Sequence, residues 1–569
     1  MTALALLLAV SGAAARVGDA ATATPPHTKV AGIDVDATTI PELQELMDAR
    51  RINSVQLTTF YLRRIRQLNP TLRAVITVSP TAPADARAAD RARRNGDDRP
   101  LLGIPIIVKD NINTTGMPTT AGSWALADST PDDSFIVERL KAAGAIILGK
   151  ANLSEWANFR SGPSSSGWSG IGGQGSMPYV LDRNPCGSSS GSGVVAAADL
   201  AVAAVGTETD GSIVCPSGAN GVVGIKPTLG LWSRAGVVPI SADQDTAGPM
   251  ARNVTDAAVL LGAATGVDPD DVATAAQAGH AFADYTQFLD DDALDGARIG
   301  VWRAGTFDPG LTGPVVEPIL DDAVAALEAE GAEVVEDMDV DLSATATEFA
   351  ALLCEFKTDI AAYLQTYVEG TNPVTGQPYP QTLAELIAFD QAHPELEGPW
   401  NDLVFELAEA TSGRNAECAD LREQTTPPVQ EAIDELMAEN DLDAIVALTS
   451  GPAWPINSDP DEGDLDGHFE YFVGSSSAAA VSGYADITVP AGYVAGLPVG
   501  VTFVGGRWAE PELLGFAFDF EQATRVRVPP ELVPTIGDDL FPGAPNPSAS
   551  ARASKQHTAR QRELGARFR

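Results

Sequence analysis

Histidine is scarce in this sequence: the five residues, at positions 27, 280, 393, 468 and 557, share no motif, and none falls between 27 and 280. Their scatter gives no metal site, and it removes the commonest base for an activated serine from the long stretch in between. Cysteine is scarcer still. Cys186, Cys215, Cys354 and Cys418 lack metal-type spacing and are too few for a disulfide framework in a chain this long. Cys186 and Cys215 are therefore expected to be small apolar packing residues. Positive charge is thin, with 36 Lys and Arg against 77 Asp and Glu, so the net charge at pH 7 is −41. Phosphate-rich partners would be repelled across most of such a surface, which argues against nucleic-acid binding. Past the N-terminus no apolar run stays free of charge and glycine for the ~20 residues of a membrane helix, and no stable membrane anchor is expected. The sequence has no internal repeat and no glycine-rich phosphate cradle, and it calls for no cofactor.

What is present is the composition of a globular protein, 44% hydrophobic and 20% charged. Residues 1–33 open with the apolar ALALLLAV followed by small residues, with A-x-A cleavage sites at Ala13–Ala15 and Ala21–Ala23. This signal-like segment implies a secreted or periplasmic protein, with the cytoplasm as the alternative. Residues 34–540 read as a single domain, and the basic, Pro/Ser/Arg-rich residues 541–569 as a disordered tail. Acidic runs at 290–296 and 458–467 read as solvated loops, and such an acidic, lysine-poor surface would suit high salt.

From Thr38 the pattern is helical. Ser54 is a candidate N-cap, Leu57, Phe60, Tyr61, Ile65 and Leu68 form an apolar stripe, and Asn69-Pro70 ends the helix. Apolar strands are expected at 74–78, 104–108, 145–149, 200–206, 297–302, 332–336, 444–448, 485–490 and 498–505. Between them lie helical stretches such as 135–143, 255–265 and 315–330. Strands this apolar are covered on both faces, which predicts an α/β protein whose sheet is sandwiched by helices. Residues 343–439 are mostly helical and are expected as an insertion packed over the core.

Three loops carry candidate chemistry. VKDNINTTGMPTTAGS (108–123) sets Lys109 at the tip of a buried strand. Alone, Lys109 reads as a partly exposed lysine paired with a carboxylate such as Asp110. NPCGSSSGSG (184–193) is a linker by composition, yet it precedes a segment that should be buried. TETDGS (207–212) leaves an apolar strand on a glycine-permitted turn, a geometry that aims successive N–H groups inward and suits an oxyanion. Alone, Ser212 reads as a turn serine bonding its own backbone. Together the loops read differently. With no histidine close in sequence, a lysine made neutral by burial can serve a serine as base, and Lys109 is the best placed.

In order along the chain, CGSSSGSG, TETDGSIVCPS, GIKPTLGLWSRAGVVP, DTAGPM and SGYADITVPAGYVAGLPVGVTFVG resemble the signature motifs of the amidase signature family of serine hydrolases. The likeness runs over roughly residues 34 to 524, and within the family it is closest to bacterial peptide amidases, which release ammonia from peptide C-terminal amides. The resemblance implies the α/β amidase-signature fold, a central mixed β-sheet covered by helices on both faces. It also implies a cofactor-free, metal-free amide hydrolase with a Ser-Ser-Lys triad and an acyl-enzyme. In it Ser212 is nucleophile, Ser188 the bridging serine after a cis Gly187–Ser188 bond, and Lys109 the base. The N–H groups of Thr209, Asp210, Gly211 and Ser212 hold the oxyanion, Asp210 fixes the loop by hydrogen bonds, and Ser189 steadies Lys109. Asn111, Arg160 and the serines at 164–166 are weaker candidates for lining the pocket. Cys186 stands where a glycine is common in the family. The expected partner is a small-molecule or peptide amide, and the expected state a monomer or homodimer. The alternatives are the A-type subunit of a tRNA-dependent amidotransferase and a general or fatty amide hydrolase.

Overall fold

The computed structural model describes residues 28–162, 164–303, 313–398, 400–456 and 474–536. Most of the signal-like segment, the tail after 540, the acidic run at 458–467, and His27, His468 and His557 lie outside them. After a short N-terminal hairpin, β1 (Lys29–Val30) and β2 (Ile33–Asp34), eleven strands form one sheet. They are β3 (Val75–Val78), β4 (Pro105–Lys109), β5 (Ile146–Ala151), β6 (Ala203–Glu208), β7 (Val223–Lys226), β8 (Thr246–Ala251), β9 (Arg298–Trp302), β10 (Glu333–Met338), β11 (Ala444–Leu448), β12 (Asp486–Val494) and β13 (Leu497–Val504). Their order across the sheet is β10-β9-β11-β13-β12-β7-β8-β6-β4-β5-β3.

The sheet is mixed, as expected. β10, β9 and β11 pair in parallel, as do β6, β4 and β5, while the ladders from β11 through β13, β12, β7 and β8 to β6 are antiparallel. Strands β3 to β8 make one half and β9 to β13 the other, joined where β12 pairs with β7. Every residue of β4, β5, β6, β8, β11 and β13 is buried, because helices cover both faces. Two central strands are additions to the sequence reading. β7 (VGIK) and β8 (TAGPMA) carry glycine, lysine and proline, which break the apolar pattern that marked the others.

Helix Ser54–Leu72 differs from expectation at both ends. Asn53 is the N-cap, its side chain accepting the Gln56 N–H, and Ser54 is the first helical residue. Pro70 lies inside the helix, which ends at Arg73 in the left-handed conformation. Proline has no N–H to give to the last turn, which is closed instead by the Arg73 N–H donating to the Asn69 carbonyl at 2.8 Å. Leu57, Tyr61, Ile65 and Leu68 are buried as the stripe requires, and Phe60 is partly buried against them.

The insertion is helical, with helices Glu348–Tyr367, Leu383–Ala392, Leu403–Glu409 and Ala416–Asn440. Its apolar side chains, among them Leu353, Phe356, Leu386 and Phe405, form a second core with Ala121, Trp156 and Phe159 of the main body. The cysteines overturn the packing reading. Cys186 is bonded to Cys215 and Cys354 to Cys418, across sequence separations of 29 and 64. Only the fold brings these partners together, so their number and spacing gave no sign of it.

Candidate active site

Lys109 is the last residue of β4, a central strand flanked by β5 and β6, and its side chain is fully buried. Its Nζ lies 2.8 Å from Ser188 Oγ, 2.8 Å from Thr207 Oγ1 and 3.2 Å from the Thr207 carbonyl oxygen. Burial pulls its pKa from 10.5 down to about 7, with the negative charges of Asp245 and Glu208 opposing the fall. Asp110 is not its partner. Successive residues of an extended chain point to opposite sides, and Asp110 instead meets Lys150 of β5 at 3.5 Å. A third buried strand-end lysine, Lys226, donates to the carbonyls of Tyr484 and Pro227.

The glycine-serine loop is no linker, since every residue from 184 to 193 is buried. The Gly187–Ser188 bond is cis, as the resemblance implies. A Cβ at Gly191 would collide with the carbonyls of Ala74 and Asn152, so close backbone packing requires glycine there, and one at Gly187 would displace the Ser154 hydroxyl. The loop continues directly into helix Ser190–Ala197. Ser189 does not touch Lys109. Its hydroxyl donates to the Thr207 carbonyl at 2.9 Å and accepts the Thr207 N–H at 3.1 Å, so any effect on Lys109 passes through Thr207. Of the remaining serines, Ser192 donates to the Val205 carbonyl at 3.0 Å, tying the helix to β6.

Ser212 follows β6 by a turn through Gly211, whose φ of 75° only glycine adopts freely. It is 7% exposed, and its carbonyl accepts the Ser189 N–H at 3.1 Å, which joins the two serine-bearing loops. Three carboxylates hold the turn. Glu208 accepts the N–H groups of Ile213 and Val214 at 2.6 and 3.0 Å, and Asp210 accepts the hydroxyls of Ser476 and Ser477 at 2.5 and 2.6 Å. Asp245 accepts the Thr209 hydroxyl at 2.6 Å. Asp210 is thus hydrogen-bonded in the way anticipated, and burial raises its pKa. Among the described residues no protein group accepts the N–H of Asp210, Gly211 or Ser212.

Asn111 is 3% exposed and donates to Thr207 Oγ1 at 2.9 Å, so it supports the group that holds Lys109. Arg160, a weaker candidate for lining the pocket, sits among carboxylates. It is 3% exposed and enclosed by Glu155, Asp390, Glu397 and Asp402, with its Nη2 donating to the carbonyls of Glu397 and Trp400. Its work is to fasten the insertion to the main body. Serines 165 and 166 are buried.

Two residues escaped the sequence reading. Thr207 opens the TETDGS motif and was legible there as the start of the turn, but not as the acceptor of Lys109. Gln244 bridges the Thr209 carbonyl (2.9 Å) to Glu348 (2.6 Å), and Arg422 donates to both Gln244 and Glu355. Through this chain the insertion braces the turn that bears Ser212, and no local pattern marks it.

The family model described as Amidase matches residues 56–514. In structure the chain is similar to peptide amidase from Stenotrophomonas maltophilia, at 46% identity over 87% of this chain and 98% of that one, with a TM-score of 0.80. In sequence it is 41% identical to a probable amidase of Arabidopsis thaliana over 88% of this chain and 92% of the relative. It is also 34% identical to the A-type subunit of the glutamyl-tRNA(Gln) amidotransferase of Halorhodospira halophila, over 85% of this chain and 97% of that protein.

Proposed function

Because the chain belongs to the amidase signature family and is an amide-hydrolysing enzyme, we propose that it releases ammonia from peptide C-terminal amides through Ser212, Ser188 and Lys109. The observation that carries this reading is the fully buried Lys109 with its Nζ 2.8 Å from Ser188 Oγ and a pKa brought down to about 7. A neutral amine has one lone pair and two N–H bonds. The Thr207 carbonyl can only accept, and Thr207 Oγ1 is held in place by Asn111, so the two N–H bonds go to Thr207 and the lone pair faces Ser188.

Lys109 takes the Ser188 hydroxyl proton while Ser188 takes that of Ser212, and the Ser212 oxygen attacks the amide carbon. The carbonyl oxygen gains the negative charge, and the N–H groups of Asp210, Gly211 and Ser212 receive it, with Thr209 completing the turn. The proton returns from Lys109 through Ser188 to the departing nitrogen, ammonia leaves, and an ester remains on Ser212. Water then enters by the same relay and releases the acid. Similarity to a peptide amidase supports the peptide amide as substrate, and the two disulfides support the secreted or periplasmic location expected from residues 1–33.

The test is ammonia release by the purified chain alone, without ATP or a second subunit, from peptide amides, amino-acid amides and aliphatic amides. Peptide amides should be cleaved fastest. Ser212→Ala should lower the rate at least about 10³-fold with the fold intact, and a native rate in that variant would sink the assignment. A chain inert until a second subunit is supplied would favour the amidotransferase reading instead.

A further inference from the structure

The Cys186–Cys215 disulfide joins the two loops on which the proposed reaction depends, and we propose that it is a positioning element that makes the enzyme active only in its oxidised form. This rests on the reading of Lys109, Ser188 and Ser212 given above. Cys186 lies two residues before Ser188, and Cys215 three residues after Ser212. No other covalent link outside the main chain connects these loops among the described residues.

Each end of the bridge sits on a structure that sets a serine. Cys186 has φ 57°, in the left-handed region that residues with a Cβ disfavour. Here the conformation is held by the bond to Cys215 and by the Cys186 N–H, which donates to Asn184 Oδ1 at 2.9 Å. At the other end the Cys215 N–H donates to the Gly211 carbonyl at 2.9 Å, closing the turn of chain around Ser212. The polar ties between the loops are the Ser189 N–H to the Ser212 carbonyl at 3.1 Å, the Ser189 hydroxyl to the Thr207 carbonyl at 2.9 Å, the Thr207 N–H to the Ser189 hydroxyl at 3.1 Å, and Asn220 Nδ2 to the Pro185 carbonyl at 2.8 Å. The disulfide is the covalent member of this clamp.

The two ends of the bond differ in exposure. Cys186 is 1% exposed, whereas Cys215 is partly exposed beside Trp454 and Ala219. The thiolate of a small dithiol attacks Cys215 Sγ, the S–S bond breaks, and Cys186 leaves as a thiolate that takes a proton from water. The second thiol of the reagent then displaces Cys215 and closes the reagent's own disulfide, so two electrons and two protons pass from the dithiol to the protein. Freed of the bond, the two loops are tied by hydrogen bonds alone, and Ser188 moves from its place between Lys109 and Ser212. Proton transfer then fails while the substrate pocket persists, so kcat falls and KM holds.

The experiment measures kcat and KM on a peptide amide for four proteins, with circular dichroism and thermal unfolding to read the fold. They are the native enzyme, a Cys186→Gly/Cys215→Ala double variant, a Cys354→Ala/Cys418→Ala double variant, and Ser212→Ala. Glycine adopts the left-handed backbone freely, so the first double variant keeps the fold without the bridge. Its kcat is expected to drop at least about tenfold with KM within about twofold, since small misplacements of reacting groups are costly. The Cys354/Cys418 variant is expected to keep kcat within about twofold. Native enzyme in dithiothreitol should lose kcat in step with the appearance of the Cys186 and Cys215 thiols, mapped by alkylation, and regain it on reoxidation.

Full kcat in the folded Cys186→Gly/Cys215→Ala variant overturns the proposal, as does an equal loss in the Cys354/Cys418 variant. If the first double variant fails to fold, the native enzyme with Cys186 and Cys215 alkylated decides: full kcat overturns, loss supports. A native rate in Ser212→Ala would instead bring down the underlying reading, so the two failures are distinguishable.

Discussion

At the scale of single residues, burial sets the chemistry of Lys109. Taking an ammonium out of water favours the neutral amine, and the two nearest sources of negative charge only partly oppose this. If the neutral form is the base, kcat/KM should rise with pH along a limb with an apparent pKa near 7 and then level off; a pH-independent profile from 5 to 9 would contradict it. The same shift bears on stability, with a sign opposite to that of a paired lysine. The folded pKa of about 7 lies below the unfolded value of 10.5, so between them the unfolded chain binds more protons and stability rises with pH. Lys109→Met removes this dependence. The difference in Tm between native and variant should be constant below pH 7 and change steadily above it, in the direction that favours the native protein. Lys109 could be singled out in the sequence because it sits at the tip of a buried strand, and Ser188 and Ser212 through the resemblance their contiguous motifs carry. Thr207, Ser189 and Asn111 could be named at most as neighbours, since who bonds to whom depends on three segments meeting.

At the scale of elements, the insertion is fastened to the main body by buried charge. Arg160 faces four carboxylates, and burial pushes Asp390 up to about 8 and Glu155 well above its ordinary value. Arg160→Ala leaves those carboxylates without their cation, and an unpaired buried charge costs about 3–5 kcal/mol. The carboxyls would then hold protons in the folded state that they release on unfolding, so the deficit should be larger at pH 8 than at pH 5. Urea denaturation at the two pH values checks this, and a loss below about 1 kcal/mol at both would show that the cluster is not what holds the insertion. A pocket role for Arg160 would instead show as a change in KM. The helical insertion and nine of the strands were visible as periodicity. Within the eleven-stranded sheet the missed strands, β7 and β8, have partners on both sides that supply the burial their own composition does not advertise. The disulfides were invisible for the same reason, although by loop-closure entropy bridges over 29 and 64 residues stabilise by roughly 4 kcal/mol each.

At the scale of the whole molecule, charge of one sign dominates. A net charge of −41 raises the energy of the compact state through self-repulsion, and salt relieves it by shortening the Debye length from about 10 Å at 0.1 M to about 3 Å at 1 M. Tm should therefore climb by several degrees across that range in NaCl; a flat response would mean that self-repulsion contributes little to the stability of the folded chain. Among the described residues no helix is long and apolar enough to cross a membrane.

The division of the sheet has a consequence for how the protein is made. Lys109, Ser188 and Ser212 all belong to the half built from β3 to β8, which leaves the ribosome first. Asp210, which holds the Ser212 turn, is anchored by Ser476 and Ser477, and β7 has no second neighbour until β12 arrives. A nascent chain therefore carries every group of the proposed relay long before it has the strand and the two hydroxyls that fix them. On the proposed reading, a chain ending before Ser476 should therefore hydrolyse no amide although it holds Lys109, Ser188 and Ser212, and activity in such a fragment would show that the later half does not set the relay.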